Sequence, residues 1–416
     1  MVTIKDSVHD HIEVDGVGAA LLDTPPVQRL RRIQQLGTAS LVYPSANHTR
    51  FEHSLGVFAL ATRALERLGI DGERARAVRA AAMLHDVGHA PFSHTLEASL
   101  EQRLGRYHDD VEHILEEEPV AAALAEYDVD PDRVAALIAG DGRLGQLVAG
   151  ELDVDRMDYL VRDAHHTGVP YGTIDVERLL HELRFVDGEL VLGPGNVQAA
   201  ESLLLARALM NPTVYNHHVA RISKAMLVRA TDRLIETGGV DANEVARMDE
   251  PELRVALRNC EPASALADRL ANRRLYKRAI WAEYGDVGAE QVASLVEADH
   301  EKRREIERTI ADRAGVAVDE VLLDVQGRPA MRESTTQVVV NDSIRELSEQ
   351  STLVSALERA QLEQWRLGVY APRKLTEPVG QAAEAELGLD LEEGRIAETD
   401  SPGRYASLAD FGGVMR

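Results

Sequence analysis

The stretch AAMLHDVGHAPFSH, residues 81–94, decides how the rest of this chain is read. It starts as an apolar, alanine-rich helix and ends in three histidines and an aspartate. The adjacent His85 and Asp86 offer an imidazole and a carboxylate from one backbone site, donors that suit a metal ion. Alone, such a pair is more often a helix-end hydrogen bond than a metal site. Upstream, NHTRFEHSLG (47–56) puts His53 near the start of a helix. Downstream, GELDVDRMDYLVRDAHH (150–166) supplies Asp155. There Asp155, Tyr159 and Asp163 fall four residues apart on one helical face, a poor stripe for a core. Together His53, His85, Asp86 and Asp155 read as the ligands of one divalent ion. Mg, Mn, Fe and Zn all fit such a donor set.

Working outward, the N-terminal half reads as helical. Helices are expected over Pro25–Leu36, with proline at the start, over Ser54–Leu68, closed by Gly69, over residues 73–86, over Val154–His166 and over Val197–Leu209. RFVDGELVLG (184–193) carries an Asp187-Gly188 turn between short apolar runs and predicts a hairpin. Beyond about residue 285 the texture changes to a charged helix (301–315), strands near 318–325 and 335–342, a helix over Thr352–Glu363 and a strand near Trp365–Tyr370. The expected fold class is mainly α: a helical core with a small hairpin, plus a C-terminal α+β appendage. The expected divisions are 1–285, 286–385 and a polar tail over 386–416.

Composition agrees with a helical enzyme more than with a nucleic-acid binder. Hydrophobic residues make up 44% of 416 positions but aromatics only 4%, so the core is built from Ala, Leu, Val and Ile. The net charge of −24 repels phosphate backbones, which disfavours non-specific nucleic-acid binding. A metal and a few arginines can still reverse the field locally. Only five of the 46 basic residues are lysine. Salt adaptation and a GC-rich genome both give that bias. Cys260 is the sole cysteine, so no intrachain disulfide forms. The N-terminus shows no signal core and no apolar run reaches membrane-spanning length, so a cytoplasmic protein without a membrane partner is expected. Fourteen of fifteen histidines lie at or before His218, which confines imidazole chemistry to the N-terminal half.

Five segments, in this order, carry a family resemblance: DSVHDHIEV, DTPPVQRLRRIQQLG, NHTRFEHSLGV, LHDVGHAPFSH and DVDRMDYLVRDAHHTGV. They resemble the HD-domain phosphohydrolases, whose metal signature is H…HD…D. The likeness is closer to the deoxynucleoside triphosphate triphosphohydrolases, which include dGTPases and the vertebrate enzymes with a SAM domain fused to an HD core. It covers about residues 4–230, with a weaker echo at NRRLYKRA.

The resemblance implies roles. His94 matches the general acid, His108 a second active-site histidine and His89 a third near the phosphates. Asp109 stands where relatives carry Glu and is expected to orient His94. Arg50 and Arg156 match phosphate contacts, with Arg156 in place of lysine. Arg207 and Tyr215 match further phosphate and sugar contacts. Tyr159 and Asp163 match residues that approach the deoxyribose, and Gln35 and Leu36 match sugar and base contacts. Asp23, Gln28 and Arg31 match an activating-nucleotide site, although Val2 and Lys5 depart from the surrounding pattern. The implied activity is metal-dependent hydrolysis of a deoxynucleotide to deoxynucleoside and triphosphate, in a homo-oligomer. The alternatives are an HD enzyme acting on nucleoside monophosphates or cyclic nucleotides, and a non-catalytic nucleotide sensor.

Overall fold

The computed structural model describes residues 1–327, 336–340, 343–389 and 391. It is mainly α, with three small sheets and a C-terminal α+β region. Two units emerge from the contacts. One comprises residues 1–275 and 327–365, the other 276–326 and 366 onward.

In the first unit, the helix Arg50–Leu68 is started by a capping box, Thr49 with Glu52, and stopped by Gly69 at φ 63°. The helix Gly72–Leu84 packs against it, with Ala75, Ala77, Ala80, Ala81 and Ala82 all buried. Small side chains let two backbones approach closely, and this pair carries His53 and His85. The third site helix, Val154–Thr167, is capped by Asp153, whose carboxylate accepts the Arg156 N–H at 2.7 Å. That cap places Asp155 in the first turn. The helix Val197–Met210 runs into a wider π-type turn, Asn211–Tyr215, and then into the helix His218–Glu236. Such turns recur at functional sites, and Tyr215 closes this one.

Two sheets belong to the same unit, and Ile12, Val14, Leu183, Leu192 and Val338 join its core. An N-terminal hairpin pairs Val2–Asp6 with Asp10–Val14. The hairpin expected at Asp187-Gly188 pairs Leu183–Val186 with Glu189–Leu192, both turn residues having positive φ. Its second strand continues in parallel to Gln337–Val340 through Leu192 and Val338, and Ser343–Glu346 completes four strands.

Three expectations need correction. The helix expected over Pro25–Leu36 is α-helical only over Pro25–Arg29, then a 3₁₀ turn over Leu30–Arg32. After it the chain extends, because Gln34 forms an isolated antiparallel bridge with Thr49. The first boundary falls at 275/276, since Lys277–Glu283 pairs with Arg366–Ala371 in the second unit. Residues 327–365, expected in the appendage, belong to the first unit because Gln337–Val340 joins the 183–192 hairpin. In the second unit the sheet order is Lys277–Glu283, Arg366–Ala371, Leu322–Val325, all antiparallel. The helices His300–Ala314 and Thr376–Leu387 pack on each other in that unit. Of the expected polar tail, residues 390 and 392–416 lie outside the described residues. Among the described residues, no helix is long and apolar enough to cross a membrane.

Candidate active site

Three helices deliver the four expected ligands to one point. His53 lies in the first turn of Arg50–Leu68, His85 and Asp86 follow Gly72–Leu84, and Asp155 begins Val154–Thr167. The Nε2 atoms of His53 and His85 are 3.3 Å apart. Asp155 Oδ1 is 2.8 Å from His53 Nε2 and 3.8 Å from His85 Nε2. Asp86 Oδ2 is 3.8 Å from His53 Nε2, and Asp86 Oδ1 is 3.5 Å from His85 Nε2.

The hydrogen bonds behind these atoms fix which nitrogen faces inward. His53 Nδ1 is 2.7 Å from Asp158 Oδ2, and His85 Nδ1 is 3.0 Å from the Ala82 carbonyl. A carboxylate and a carbonyl accept, so both Nδ1 atoms carry protons and both Nε2 atoms turn to the cluster. Asp86 Oδ2 is buried without a hydrogen-bond partner. An orphaned carboxylate oxygen is costly unless a cation meets it. The two inward imidazoles and the Asp86 carboxylate lie close enough together to hold a divalent ion, and Asp155 Oδ1 stands beside both imidazoles. Without an ion, burial disfavours charge on His53, but Asp155 and Asp158 overcome it and raise its pKa to about 10. The field is built for a cation.

Behind the ligands lies a buried brace that the sequence reading missed. Asp158 accepts from His53, from His9 Nε2 at 2.6 Å and from Arg162 Nε at 2.8 Å, and Arg162 also donates to Asp6. Burial works against its charge, yet Arg162 and the two histidines hold its carboxyl well below the usual range. Gly56 makes room for it: a Cβ there would sit 1.9 Å from Asp158 Oδ1. Such outer partners orient metal-binding imidazoles.

A second group stands beside the first. His89 and His108 stack at 3.9 Å, 14° from parallel, and His94 meets both edge-on. Glu97 joins the group from below. It accepts His94 Nδ1 at 2.8 Å through one oxygen and His108 Nδ1 through the other. Thus Glu97, not Asp109, orients His94; Asp109 is exposed and forms no side-chain hydrogen bond among the described residues. The spacing of three from His94 to Glu97 was the available signal. Burial keeps His89 neutral, its pKa lying well below the usual value. For His108 burial pulls the same way, but Glu97 prevails and raises its pKa. Gly88 lets the two segments meet, since a Cβ there would lie 2.1 Å from the His108 carbonyl oxygen. These residues could also hold an ion. Both Glu97 oxygens are already engaged by imidazole protons.

Arg50 is buried and faces the ligands. Its Nε donates to Ser93 Oγ at 2.8 Å and its Nη1 to Asp86 Oδ1 at 2.7 Å. Arg156 donates through Nη1 to the carbonyls of Gly150 and Glu151, which ties one arm of its fork to the preceding loop. Asp163 is buried between His48 Nε2 at 2.8 Å and the Tyr215 hydroxyl at 2.9 Å. Tyr159 meets Tyr215 edge-on at 6.3 Å, and both rings feel the Arg207 charge. His48 is a further residue the sequence reading missed, although it stands in the quoted NHTRFEH motif. Gln35 is buried with its Oε1 unpartnered, and Leu36 is half-buried beside it.

On the outer face Asp23 is exposed. Gln28 donates to the Leu22 carbonyl at 2.8 Å and accepts from Arg31 Nε at 2.9 Å, while the Arg31 guanidinium lies 3.6 Å above the Phe51 ring.

Comparison with known proteins places this geometry. Residues 50–163 match the HD domain, and residues 174–398, more than half of the chain, match the HD associated region. The chain belongs to the HD-domain phosphohydrolase superfamily. It is 34% identical to an uncharacterised protein of Methanocaldococcus jannaschii over 90% of this chain and 80% of that one. It is 30% identical to the Dictyostelium discoideum SAMHD1 homologue, named a deoxynucleoside triphosphate triphosphohydrolase, over 66% of this chain and 59% of that one. A solved phosphohydrolase from Bacteroides thetaiotaomicron has a TM-score of 0.71 at 25% identity, covering 89% of this chain and all of that one. As an HD-domain protein this chain is a hydrolase, and its His/Asp cluster could hold a metal ion.

Proposed function

We propose that this HD-domain hydrolase cleaves deoxynucleoside triphosphates, dGTP or several dNTPs, into deoxynucleoside and inorganic triphosphate. The observation that carries the reading is the adjacency of the ligand cluster to the wall formed by Tyr159, Asp163 and Tyr215, with Asp155, Tyr159 and Asp163 on one helix. Similarity to the triphosphohydrolase from Dictyostelium supports it.

A divalent ion on His53, His85, Asp86 and Asp155, when bound, supplies a water of lowered pKa and polarises a phosphoryl oxygen. The chain supplies the rest. Arg50, Arg156 and Arg207 set positive charge around the triphosphate, with Arg50 also holding Asp86 in place. His94 has its Nδ1 tied to Glu97, so its Nε2 is the atom that delivers a proton to the departing 5′-oxygen. His108 holds its proton above the usual imidazole range and forms the proposed proton relay with His94, while Glu97 stays ionised and fixes both Nδ1 atoms. His89 stays neutral between Asp86 and the phosphates. Asp163 accepts the 3′-hydroxyl while His48 and Tyr215 hold its carboxylate still. Tyr159 and Tyr215 crowd the sugar, which disfavours a 2′-hydroxyl. Gln35 and Leu36 face sugar and base.

The same reading includes a homo-oligomer and an activating nucleotide at Asp23, Gln28 and Arg31. Sizing the protein with and without dGTP tests both.

Incubating the protein with Mn²⁺ and a panel of dNTPs and ribonucleotides, with products separated by anion exchange, tests the activity. Triphosphate from dNTPs and at least about 10-fold less from ribonucleotides is expected, the scale of a pocket that rejects one group. Monophosphate and pyrophosphate, or no turnover, would overturn the reading.

A further inference from the structure

Glu250 lies far from the ligand cluster in sequence and within the region matched by the HD associated model. It opens the helix Glu250–Asn259, whose cap, Asp249, forms a capping box with Glu252. Its side chain is buried at 3% exposure. An acid in that position would ordinarily face water at the helix start. Here Oε1 accepts two backbone N–H groups from separate loops, Gln34 at 2.7 Å and Phe92 at 3.3 Å. Arg254, one turn on, is 3.4 Å from Oε2 and lies over the Phe92 ring at 4.8 Å.

Both loops belong to the site. Gln34 precedes Gln35 and Leu36. Phe92 precedes Ser93 and His94. Phe92 and Ser93 have φ of 62° and 54°, left-handed values that non-glycine residues adopt only when held. Ser93 Oγ donates to the Gln34 carbonyl at 2.6 Å and accepts from Arg50, which in turn holds Asp86. A continuous path therefore runs from Glu250 through the two amides and Ser93 to Arg50 and a metal ligand. The same corner is anchored twice more. Arg29 joins the carbonyls of Ala246, Arg247 and Met248 to that of His89, and Arg32 pairs with Asp249.

We propose that Glu250 is a positioning residue, through which the HD associated region holds the Gln34–Leu36 and Phe92–His94 loops in their working geometry. Its roles for Gln35, Leu36 and His94 rest on the proposed hydrolase reading. The clamp itself does not. Two amide donors and the Arg254 guanidinium do not offset the burial of its charge, and its pKa rises to about 7. The acid is thus kept at a cost that a simple surface cap would not incur.

The test compares E250A and E250Q with the wild-type chain. Glutamine keeps an Oε1 acceptor for both amides, and alanine keeps none. Hydrogen exchange, followed on peptides spanning 33–37 and 90–95, should show the same protection in wild type and E250Q. In E250A exchange of those peptides should speed up at least about 10-fold, while the helix Val197–Met210 stays protected and reports that the chain is folded. dNTP turnover should fall about 10-fold in E250A and return to within about 2-fold in E250Q, with bound metal unchanged. Unchanged exchange in folded E250A would overturn the clamp. So would faster exchange in E250Q equal to that of E250A. If the wild-type chain turned over no dNTP, the hydrolase reading would fall, and the exchange result would still decide the clamp.

Discussion

The ligand cluster and the histidine relay beside it contain the same residue types but are held differently. His53 and His85 are each fixed by a separate acceptor, and His53 is backed by Asp158, Arg162, Asp6 and His9 in a buried network. His94 and His108 share a single carboxylate, Glu97, and over half of the His94 side chain is exposed. The first arrangement suits a static charge that must not move. The second suits groups that change protonation and reach toward a substrate. The difference lies in the partner given to Nδ1, and under the proposed function it separates imidazoles that hold an ion from imidazoles that exchange protons.

The largest effect should come from emptying the cluster. Asp86→Ala removes the orphaned oxygen and the partner of Arg50 together, so bound metal and turnover should vanish in parallel, with turnover down at least about 10⁴-fold. Metal analysis alongside kinetics checks this. Retained metal with lost turnover would transfer Asp86 from the ligand set to the relay.

Next is the relay. Glu97→Ala should lower turnover about 10²-fold, the usual scale for a positioned proton donor, while bound metal stays constant. The pH profile should move as well. Glu97 raises the His108 pKa, so the pair's stabilising contribution is complete below the ordinary value of 6.5 and is lost as pH rises through the raised one. Without Glu97 the alkaline limb should shift to lower pH. Metal loss in this variant would erase the contrast between the two groups.

A smaller effect is expected behind the ligands. Asp158→Asn should weaken metal affinity by about 10- to 100-fold without abolishing turnover at saturating metal, as outer-shell changes do. Titration with Mn²⁺ would show it. No change in affinity would mean that the brace serves folding alone.

Much of the site was legible because its residues sit in short, ordered motifs. His53, His85, Asp86 and Asp155 are each fixed by a local helix start or end, and such signals are written in neighbouring residues. Asp158 was not read, although it is three residues from Asp155, because its partners His9, Asp6 and Arg162 meet it only in the fold. Glu97 is not singled out by the resemblance, which matches Asp109 to the orienting acid, although Glu97 stands one helical turn after His94. The helix over Pro25–Leu36 fits Val27, Leu30 and Ile33 at a spacing of three, yet the bridge from Gln34 to Thr49 breaks it, and a bridge is a non-local fact. The same holds for residues 337–340, strand-like in sequence but assigned to the first unit only by a partner near residue 192.

An effect on stability alone concerns Glu250. Its pKa rises from 4.5 to about 7, so the folded chain holds this proton more tightly than the unfolded one. Stability should therefore fall as pH rises from about 4.5 to 7 and then level off, by up to about 3 kcal/mol. Arg254 is the charged side chain that faces it and already moderates the rise. E250Q should lack this component, so its denaturation midpoint relative to wild type should improve between pH 5 and 8. A constant offset across that range would contradict the sign.

In the proposed reaction, release of deoxynucleoside and intact triphosphate follows water attack at the α-phosphorus, and isotope placement tests that most directly. Turnover of dGTP in H₂¹⁸O should put one ¹⁸O into the inorganic triphosphate and none into deoxyguanosine, read by mass spectrometry. Label in the 5′-hydroxyl of deoxyguanosine, or label divided between monophosphate and pyrophosphate, would contradict the account.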